Sequence, residues 1–177
     1  MLAHHAGAGS EAVMNKTTLE LEGDRAFRIE RTFNGPPKIV FEAVTQPEHV
    51  RRWWAPKSLG VTLVSVDADV RAGGKYRYVF RNRDGSTMAF SGTYKEVKPH
   101  SRIVVTEHFE PTAAGLMPGD PGVVVTVTLE KQGDKTRLVS TSVCPSPEVR
   151  DMIIKSGMEK GMRESYDQLD ELVASLS

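Results

Sequence analysis

Residues 157–176 read GMEKGMRESYDQLDELVASL, and this stretch decides the architecture of the chain. At 100° per residue its apolar positions fall within one face of a helix. They are Met158, Met162, Tyr166, Leu169, Leu172, Val173 and Leu176. The apolar residues just upstream, Val149, Met152 and Ile153, would lie on nearly the opposite face of the same helix. Because one straight helix could not bury both faces against one sheet, the pattern predicts a break at Ser156-Gly157 followed by a long terminal helix.

Strand-like segments fill most of the chain before this helix. Phe27, Ile29 and Phe33 alternate with polar residues, which is typical of a half-buried strand. Short connections between the later segments predict antiparallel pairing, and Asp84-Gly85 predicts a hairpin whose two central residues have positive φ. Two short helices are expected after the first strand, the second beginning at Pro47. The six later strand segments are 60–67, 75–81, 87–97, 102–109, 123–130 and 136–143.

These elements predict a fold of the α+β class. The expected architecture is a curved seven-stranded antiparallel sheet wrapped around a long C-terminal helix, with two short helices between strands 1 and 2. One domain is expected over residues 25–177, and residues 1–24, which show no export signal, are expected to be a disordered tail. The connection 110–122 is long enough to be either a lid or a variable surface loop.

Composition excludes several classes of partner. Lys plus Arg and Asp plus Glu number 23 each, so the net charge is zero and the chain lacks the broad positive surface of a nucleic-acid binder. No apolar stretch approaches the ~20 residues that cross a bilayer, so we expect a soluble protein without membrane insertion. The single cysteine, Cys144, excludes an internal disulfide and suits the reducing cytoplasm. We expect an apolar small-molecule partner, with no metal and no cofactor.

A strongly curved sheet around a helix tends to leave space between the two layers, and that space is the candidate binding site. Aromatic and methionine side chains suit an apolar ligand pocket, but they suit a packed core equally well. A drug-sized ligand would need a cavity of roughly 300 Å³. The side chains expected to line it are Trp53, Trp54, Tyr76, Tyr78, Phe80, Met88, Phe90, Phe109, Met158, Met162 and Tyr166.

Glu107 and His108 are the only candidates for catalysis, because the chain has no phosphate-binding loop, no nucleophile elbow and no zinc-protease motif. Strand alternation places the two side chains on opposite faces, so only one of them can point into the cavity. The flanking residues leave the register undecided. An inward Glu107 would have a raised pKa and could act as an acid or base, whereas an inward His108 could hydrogen-bond a ligand carbonyl. Both residues could instead be exposed or structurally paired.

Several motifs resemble one known superfamily. They are RTF at 31–33, TQPEHVRRWW at 45–54, DVRAGGKY at 69–76, FSGTY at 90–94, EVKP at 96–99 and GMEKGM at 157–162. Together they resemble the SRPBCC or START-like superfamily, and most of all the branch similar to the C-terminal domain of the heat-shock chaperone ATPase activator. The resemblance implies the helix-grip fold, with Trp53-Trp54 at the cavity mouth. Many relatives have Gly-Trp where this chain has Gly157-Met158.

Three functions are therefore open. Members of the superfamily bind lipids, hormones or polyketides, and the first hypothesis is binding of a hydrophobic small molecule between the sheet and the terminal helix. Other members are cyclases or hydrolytic enzymes, and the second hypothesis is an enzyme that uses Glu107 or His108 with a tyrosine such as Tyr78. The third hypothesis is a regulator of the chaperone ATPase. It is the least favoured, because the activator relies also on a separate N-terminal domain. The sequence leaves homodimerisation open.

Overall fold

The computed structural model describes residues 16–111 and 120–177. Thirteen elements follow one another along these residues. They are β1 (Thr18–Glu22), β2 (Ala26–Phe33), α1 (Pro37–Thr45), α2 (Pro47–Trp53), a 3₁₀ turn (Lys57–Leu59), β3 (Thr62–Ala68), β4 (Lys75–Arg81), β5 (Thr87–Lys98), β6 (Arg102–Glu110), β7 (Val123–Gln132), β8 (Lys135–Val143), α3 (Pro147–Lys155) and α4 (Met158–Leu176). Residues 112–119, the middle of the connection expected to be a lid or a loop, lie outside the described residues.

The strands form one antiparallel sheet in the order β1-β2-β8-β7-β6-β5-β4-β3. The α+β class and the long terminal helix are confirmed, but the sheet has eight strands where seven were expected. The additional strand β1 lies inside the segment 1–24, so the expectation of disorder is wrong for Thr18–Glu22. Leu19 pairs with Ile29 and packs against the core beside it, which gives this short segment a place on the sheet edge. Residues 1–15 lie outside the described residues.

The predicted break between α3 and α4 is confirmed, and its causes are local. The Ser146 side chain accepts a hydrogen bond from the Val149 amide and caps the start of α3. Gly157 then has a φ of +81°, a left-handed conformation that glycine adopts without steric cost. The chain can therefore change direction between the two helices, so that Val149 and Ile153 of α3 pack against the same corner of the core as Met158 of α4, while Met152 stays exposed.

The hairpin between β4 and β5 is confirmed, but its turn differs from the one expected. Of the two residues expected to have a positive φ, Asp84 and Gly85, only Gly85 does, with a φ of +86°. The Asn82 amide donates to the Ser86 carbonyl, and the Gly85 amide donates to the Asn82 carbonyl. Asp84 instead accepts hydrogen bonds from the amide and hydroxyl of Ser86. The loop between Asn82 and Ser86 is therefore longer than a two-residue turn. Side-chain hydrogen bonds to Asp84 stabilise it, and Asp84 does not adopt the left-handed conformation.

The helices cover one face of the sheet from different sides. Helix α4 contacts β2, α1 contacts β7 and β8, and α2 contacts β3. Arg31 of β2 is 6% exposed and fastens α4 by donating to Asp167 at 2.5 Å and to Asp170 at 2.8 Å. Among residues 16–111 and 120–177, no helix combines the length and apolar character needed to span a membrane.

Candidate functional site

A cavity of about 140 Å³ lies between the covered face of the sheet and the helices. It is smaller than the roughly 300 Å³ expected, so the expectation of a drug-sized pocket is wrong. A dry engineered cavity of about 150 Å³ holds one benzene molecule, which sets the scale of a guest here. The lining residues are Val44, Thr45, Trp53, Trp54, Tyr76, Tyr78, Tyr94, Ile103, Val105, Glu107, Val125, Val127, Leu138 and Tyr166.

Five of the eleven residues expected at the cavity line it. They are Trp53, Trp54, Tyr76, Tyr78 and Tyr166. Sequence reasoning missed Tyr94 and most of the aliphatic wall, including Val105, Val125 and Val127. Strand alternation could have indicated these residues. Tyr94 lies on the same face of its strand as Phe90, which was expected at the cavity, and Val125 and Val127 lie on one face of theirs. What the sequence lacked was the pairing that places these strands beside β4.

Four of the expected residues instead form an aromatic group beside the cavity. The ring of Trp54 stacks on Phe80 with centroids 4.8 Å apart and meets Phe90 at 5.0 Å. Phe90 in turn contacts Phe109 at 5.1 Å, and Phe109 is 45% exposed. Met88 packs against the same group. Phe80, Met88, Phe90 and Phe109 therefore support Trp54 and do not line the cavity, because their end of β4 to β6 lies beyond it.

The two expected methionines of α4 also lie away from the cavity. Met158 and Met162 pack against Phe27, Ile29 and Cys144, which belong to β2 and the end of β8. The first two turns of α4 cover that corner of the sheet, and Tyr166 is the first residue of the apolar face to reach the cavity. Burial raises the pKa of Cys144, and the residue has the surroundings of an inert core thiol.

The pairing of β6 decides between Glu107 and His108. Glu107 lies opposite Gly92, and His108 lies opposite Ser91. Glu107 therefore shares the face of Tyr76 and lines the cavity. His108 points to the other face of the sheet, where its Nδ1 is 3.4 Å from Oδ2 of Asp120. Of the two candidates, only Glu107 can act on a molecule in the cavity.

Gly92 gives Tyr76 the room to reach Glu107. Tyr76, Gly92 and Glu107 lie in one row across β4, β5 and β6. A Cβ at Gly92 would be 2.6 Å from Cε1 of Tyr76 and 2.2 Å from the Thr106 carbonyl oxygen, so no side chain fits without a shift. The tyrosine ring lies over the glycine, and its hydroxyl donates to Oε1 of Glu107 at 3.0 Å.

The electrostatics of the cavity are dominated by burial. Burial raises the pKa of Glu107 above its ordinary value, and the Tyr76 hydrogen bond and the charge of His108 oppose it only in part. Burial also raises the pKa of Tyr94 to about 12, against a hydrogen bond from Tyr78. The pKa values of Tyr76, Tyr78 and Tyr166 are raised mainly by burial as well, so these hydroxyls stay neutral at physiological pH.

The helical wall of the cavity is fixed by hydrogen bonds from α4. Gln168 Nε2 donates to the carbonyl oxygens of Trp53 and Ala55, each at 2.9 Å. The Ser165 hydroxyl donates to the Trp54 carbonyl at 2.9 Å. These bonds satisfy carbonyls at the C-terminal end of α2 and hold both tryptophans against the sheet. Within residues 16–111 and 120–177, no three His, Cys, Asp or Glu side chains are grouped so that they could hold a metal ion.

Comparison with known proteins shows the family of the chain. The family model described as activator of Hsp90 ATPase homolog 1-like protein matches residues 34–174. The chain belongs to this family. The Hsp90-activator-like family is part of the SRPBCC superfamily, so the resemblance inferred from the motifs is confirmed. No curated protein sequence matches the chain significantly.

Solved structures show the same fold as this member of the Hsp90-activator-like family. A crystal structure from Rhodobacter sphaeroides has 22% identity and a TM-score of 0.80, and the match covers 92% of this chain and 100% of that protein. A crystal structure from Nitrosomonas europaea has 22% identity and a TM-score of 0.75, covering 88% and 97%. A solution structure from Staphylococcus epidermidis has 26% identity and a TM-score of 0.74, covering 90% and 95%.

Proposed function

We propose that the protein binds a small, mainly apolar molecule in the cavity between the sheet and the helices. The observation that carries this proposal is Glu107, a carboxyl group that lines an otherwise largely apolar and aromatic cavity and has Tyr76 as its hydrogen-bond partner. A carboxyl in such a place costs stability, because burial disfavours its charged form. A perturbed carboxyl group in a cavity is therefore a mark of a functional site.

The volume and the lining define the guest. About 140 Å³ accommodates one ring or a short branched chain, and six aromatic side chains line the space. The guest is therefore much smaller than a whole lipid or a polyketide. Its polar group would face Glu107, and its apolar part would face the valines of β6 and β7.

The test is binding of toluene and benzyl alcohol to the full chain, followed by amide chemical shifts of the cavity residues. We expect both probes to shift the signals of Tyr94, Val105 and Val125. Val105→Phe fills the cavity and should abolish these shifts. Val104→Phe is the matched control, because Val104 is the preceding residue on the opposite face of the same strand and should leave binding intact.

Absence of any probe-dependent shift in the wild-type protein would contradict the proposal, and so would equal binding by Val105→Phe. Native mass spectrometry of freshly purified protein adds an independent readout, since a retained guest should appear as a mass that Val105→Phe lacks.

A second candidate is acid–base catalysis by Glu107. The favouring observation is that Glu107, whose pKa is raised by burial, lies beside the Tyr76 hydroxyl inside the cavity, where a carboxyl group can exchange a proton with a bound molecule. With a guest identified by native mass spectrometry as substrate, Glu107→Gln should keep binding and lose turnover. Unchanged turnover would reject catalysis and leave binding standing.

The family description favours a third candidate, stimulation of the Hsp90 ATPase. The test is the ATPase rate of purified Hsp90 with and without this protein. A rate that rises with protein concentration would support it, and an unchanged rate would reject it. Val105→Phe separates this activity from ligand binding, because filling the cavity should not alter the outer surface.

A further inference from the structure

The charge of the cavity lining has one sign only. Among the described residues that line it, Glu107 is the single acid, and none is a lysine, arginine or histidine. Arg31 lies on the same side of the sheet, but its guanidinium donates to Asp167 and Asp170 of α4. His108 is adjacent to Glu107 in sequence but lies on the opposite face. A guest carboxylate would therefore meet a like charge without a compensating cation.

The two oxygens of Glu107 are used differently. Oε1 accepts the Tyr76 hydroxyl at 3.0 Å, while no donor to Oε2 is found among the described residues. Glu107 is half-buried, and it lines the cavity. A neutral hydrocarbon would leave this oxygen without a partner in apolar surroundings, which is unfavourable. A guest that donates a hydrogen bond to Oε2 of Glu107 would bind more favourably.

The remaining walls favour a positive charge on that guest. Six aromatic rings line the cavity: Trp53, Trp54, Tyr76, Tyr78, Tyr94 and Tyr166. Rings carry a negative potential on their faces and attract organic cations, most strongly when water is excluded. Three of these rings lie close together: the ring centroid of Tyr76 is 5.2 Å from that of Tyr78 and 5.4 Å from that of Tyr94. A carboxylate in a cavity lined by several aromatic rings is an arrangement that suits an ammonium ion.

We propose that the cavity selects a small primary amine, bound as its ammonium ion, with a hydrocarbon part no larger than about one ring. The ammonium group donates to Oε2 of Glu107, and the hydrocarbon part packs against the tryptophans and the valines of β6 and β7. Binding is noncovalent and needs no further reactant. This inference rests on the proposed ligand-binding function and adds the charge class of the ligand.

Three probes of similar shape and different charge test the proposal on the full chain: benzylammonium, benzyl alcohol and benzoate. Calorimetry at pH 7 should give benzylammonium an affinity at least about tenfold above that of benzyl alcohol, since a hydrogen bond to a charged group contributes about 1.5 kcal/mol or more. Benzoate should not bind. In Glu107→Gln the ammonium preference should vanish while benzyl alcohol still binds.

Glu110→Gln is the matched control, because Glu110 is a buried glutamate of the same strand on the opposite face, and it should keep the preference. If Glu107→Gln does not fold, the carboxyl carbon signal of Glu107 in the labelled wild-type protein still decides: benzylammonium should move it to the ionised position and benzyl alcohol should not. Equal affinity for the amine and the alcohol would overturn the ammonium proposal and leave ligand binding intact. Failure of all three probes would overturn both.

Discussion

Glu107 and Glu110 lie three residues apart on β6, and the two faces of the sheet treat them in opposite ways. Glu107 faces the cavity, where burial raises its pKa. Glu110 faces the other side and is 3% exposed, yet its pKa is lowered. There too burial raises the pKa, but hydrogen bonds from Arg77 and Ser91 and the charge of Arg77 outweigh that effect.

The difference teaches which carboxyl is structural. Arg77 donates through both Nε and Nη2 to Glu110 at 3.2 Å, so the charge of Glu110 is matched by a guanidinium. Glu107 has a neutral hydroxyl as its donor. Glu110 is the more deeply buried of the two, yet only Glu107 has a raised pKa, so the charge of the partner is what separates them. A carboxyl left with an uncharged partner in a cavity is the one expected to meet a ligand.

The largest effect is expected from Gly92→Ala, which disturbs the packing of Tyr76 beside Glu107. The new Cβ would be 2.2 Å from the Thr106 carbonyl oxygen and would displace the Tyr76 ring, so unfolding free energy should fall by about 3 kcal/mol. Chemical denaturation measures this, and probe binding should be lost. Gly161→Ala in α4 is the control, because its nearest neighbour would be 3.5 Å away. A stability loss no greater than that of the control would show that Tyr76 does not need the glycine.

Arg77→Met removes the guanidinium that pairs with Glu110 on the opposite face of the sheet. Removing one partner leaves a buried carboxylate without its guanidinium, and because Arg77 is 41% exposed we expect a loss of about 2 kcal/mol, below the value for a fully buried pair. Adding Glu110→Gln should recover part of this loss in a double-mutant cycle. Arg81→Met is the control, since Arg81 is exposed four residues along the same strand. Equal effects of Arg77→Met and Arg81→Met would contradict the contrast between the glutamates.

Tyr76→Phe removes the donor to Glu107 and keeps the ring. We expect a loss of about 1 kcal/mol from the hydrogen bond and a further rise in the pKa of Glu107. Carboxyl carbon NMR across a pH titration measures the second effect directly. Tyr94→Phe is the comparison, because Tyr94 bonds to Tyr78 rather than to Glu107. An unchanged Glu107 titration in Tyr76→Phe would show that the hydroxyl does not stabilise the carboxylate.

Glu107→Gln should give the smallest effect at neutral pH, with the opposite sign. Because the pKa of Glu107 is raised on folding, its stabilising contribution is present below the ordinary glutamate pKa and is lost as pH rises through the raised value. The amide is never charged, so the variant should be more stable than the wild type at pH 8. Tyr76, Tyr78 and Tyr166 also face Glu107, but their raised pKa values keep them neutral across this range.

Thermal unfolding between pH 4 and 8 should therefore show a flatter profile for Glu107→Gln than for the wild type. Glu110→Gln is expected to change the acid side instead. The pKa of Glu110 is lowered on folding, so its contribution is present above the ordinary value and is lost as pH falls through the lowered one. Identical pH profiles for the two variants would remove the distinction between the two faces.

The candidate site was half accessible from the sequence. Tyr76 and Tyr166 were expected at the cavity from their aromatic character and strand or helix parity, and Trp54 from its aromatic character and the family resemblance. All three line the cavity. Phe109 satisfied the same criteria yet lies beside the cavity against Phe90. Parity specifies the face of a strand, but the position along the strand relative to the helices depends on contacts between distant segments.

From β2 onward, the sequence alone determined the order and type of the main strands and helices, because period-2 and helical periodicity, proline, glycine and capping residues act over a few neighbouring positions. The break at Gly157 is a case where local chemistry was sufficient. Only the tertiary structure decided that Glu107 faces inward and how much space remains around it. Those facts depend on strand pairing and helix placement, as in the hydrogen bond that joins Tyr76 to a residue 31 positions away.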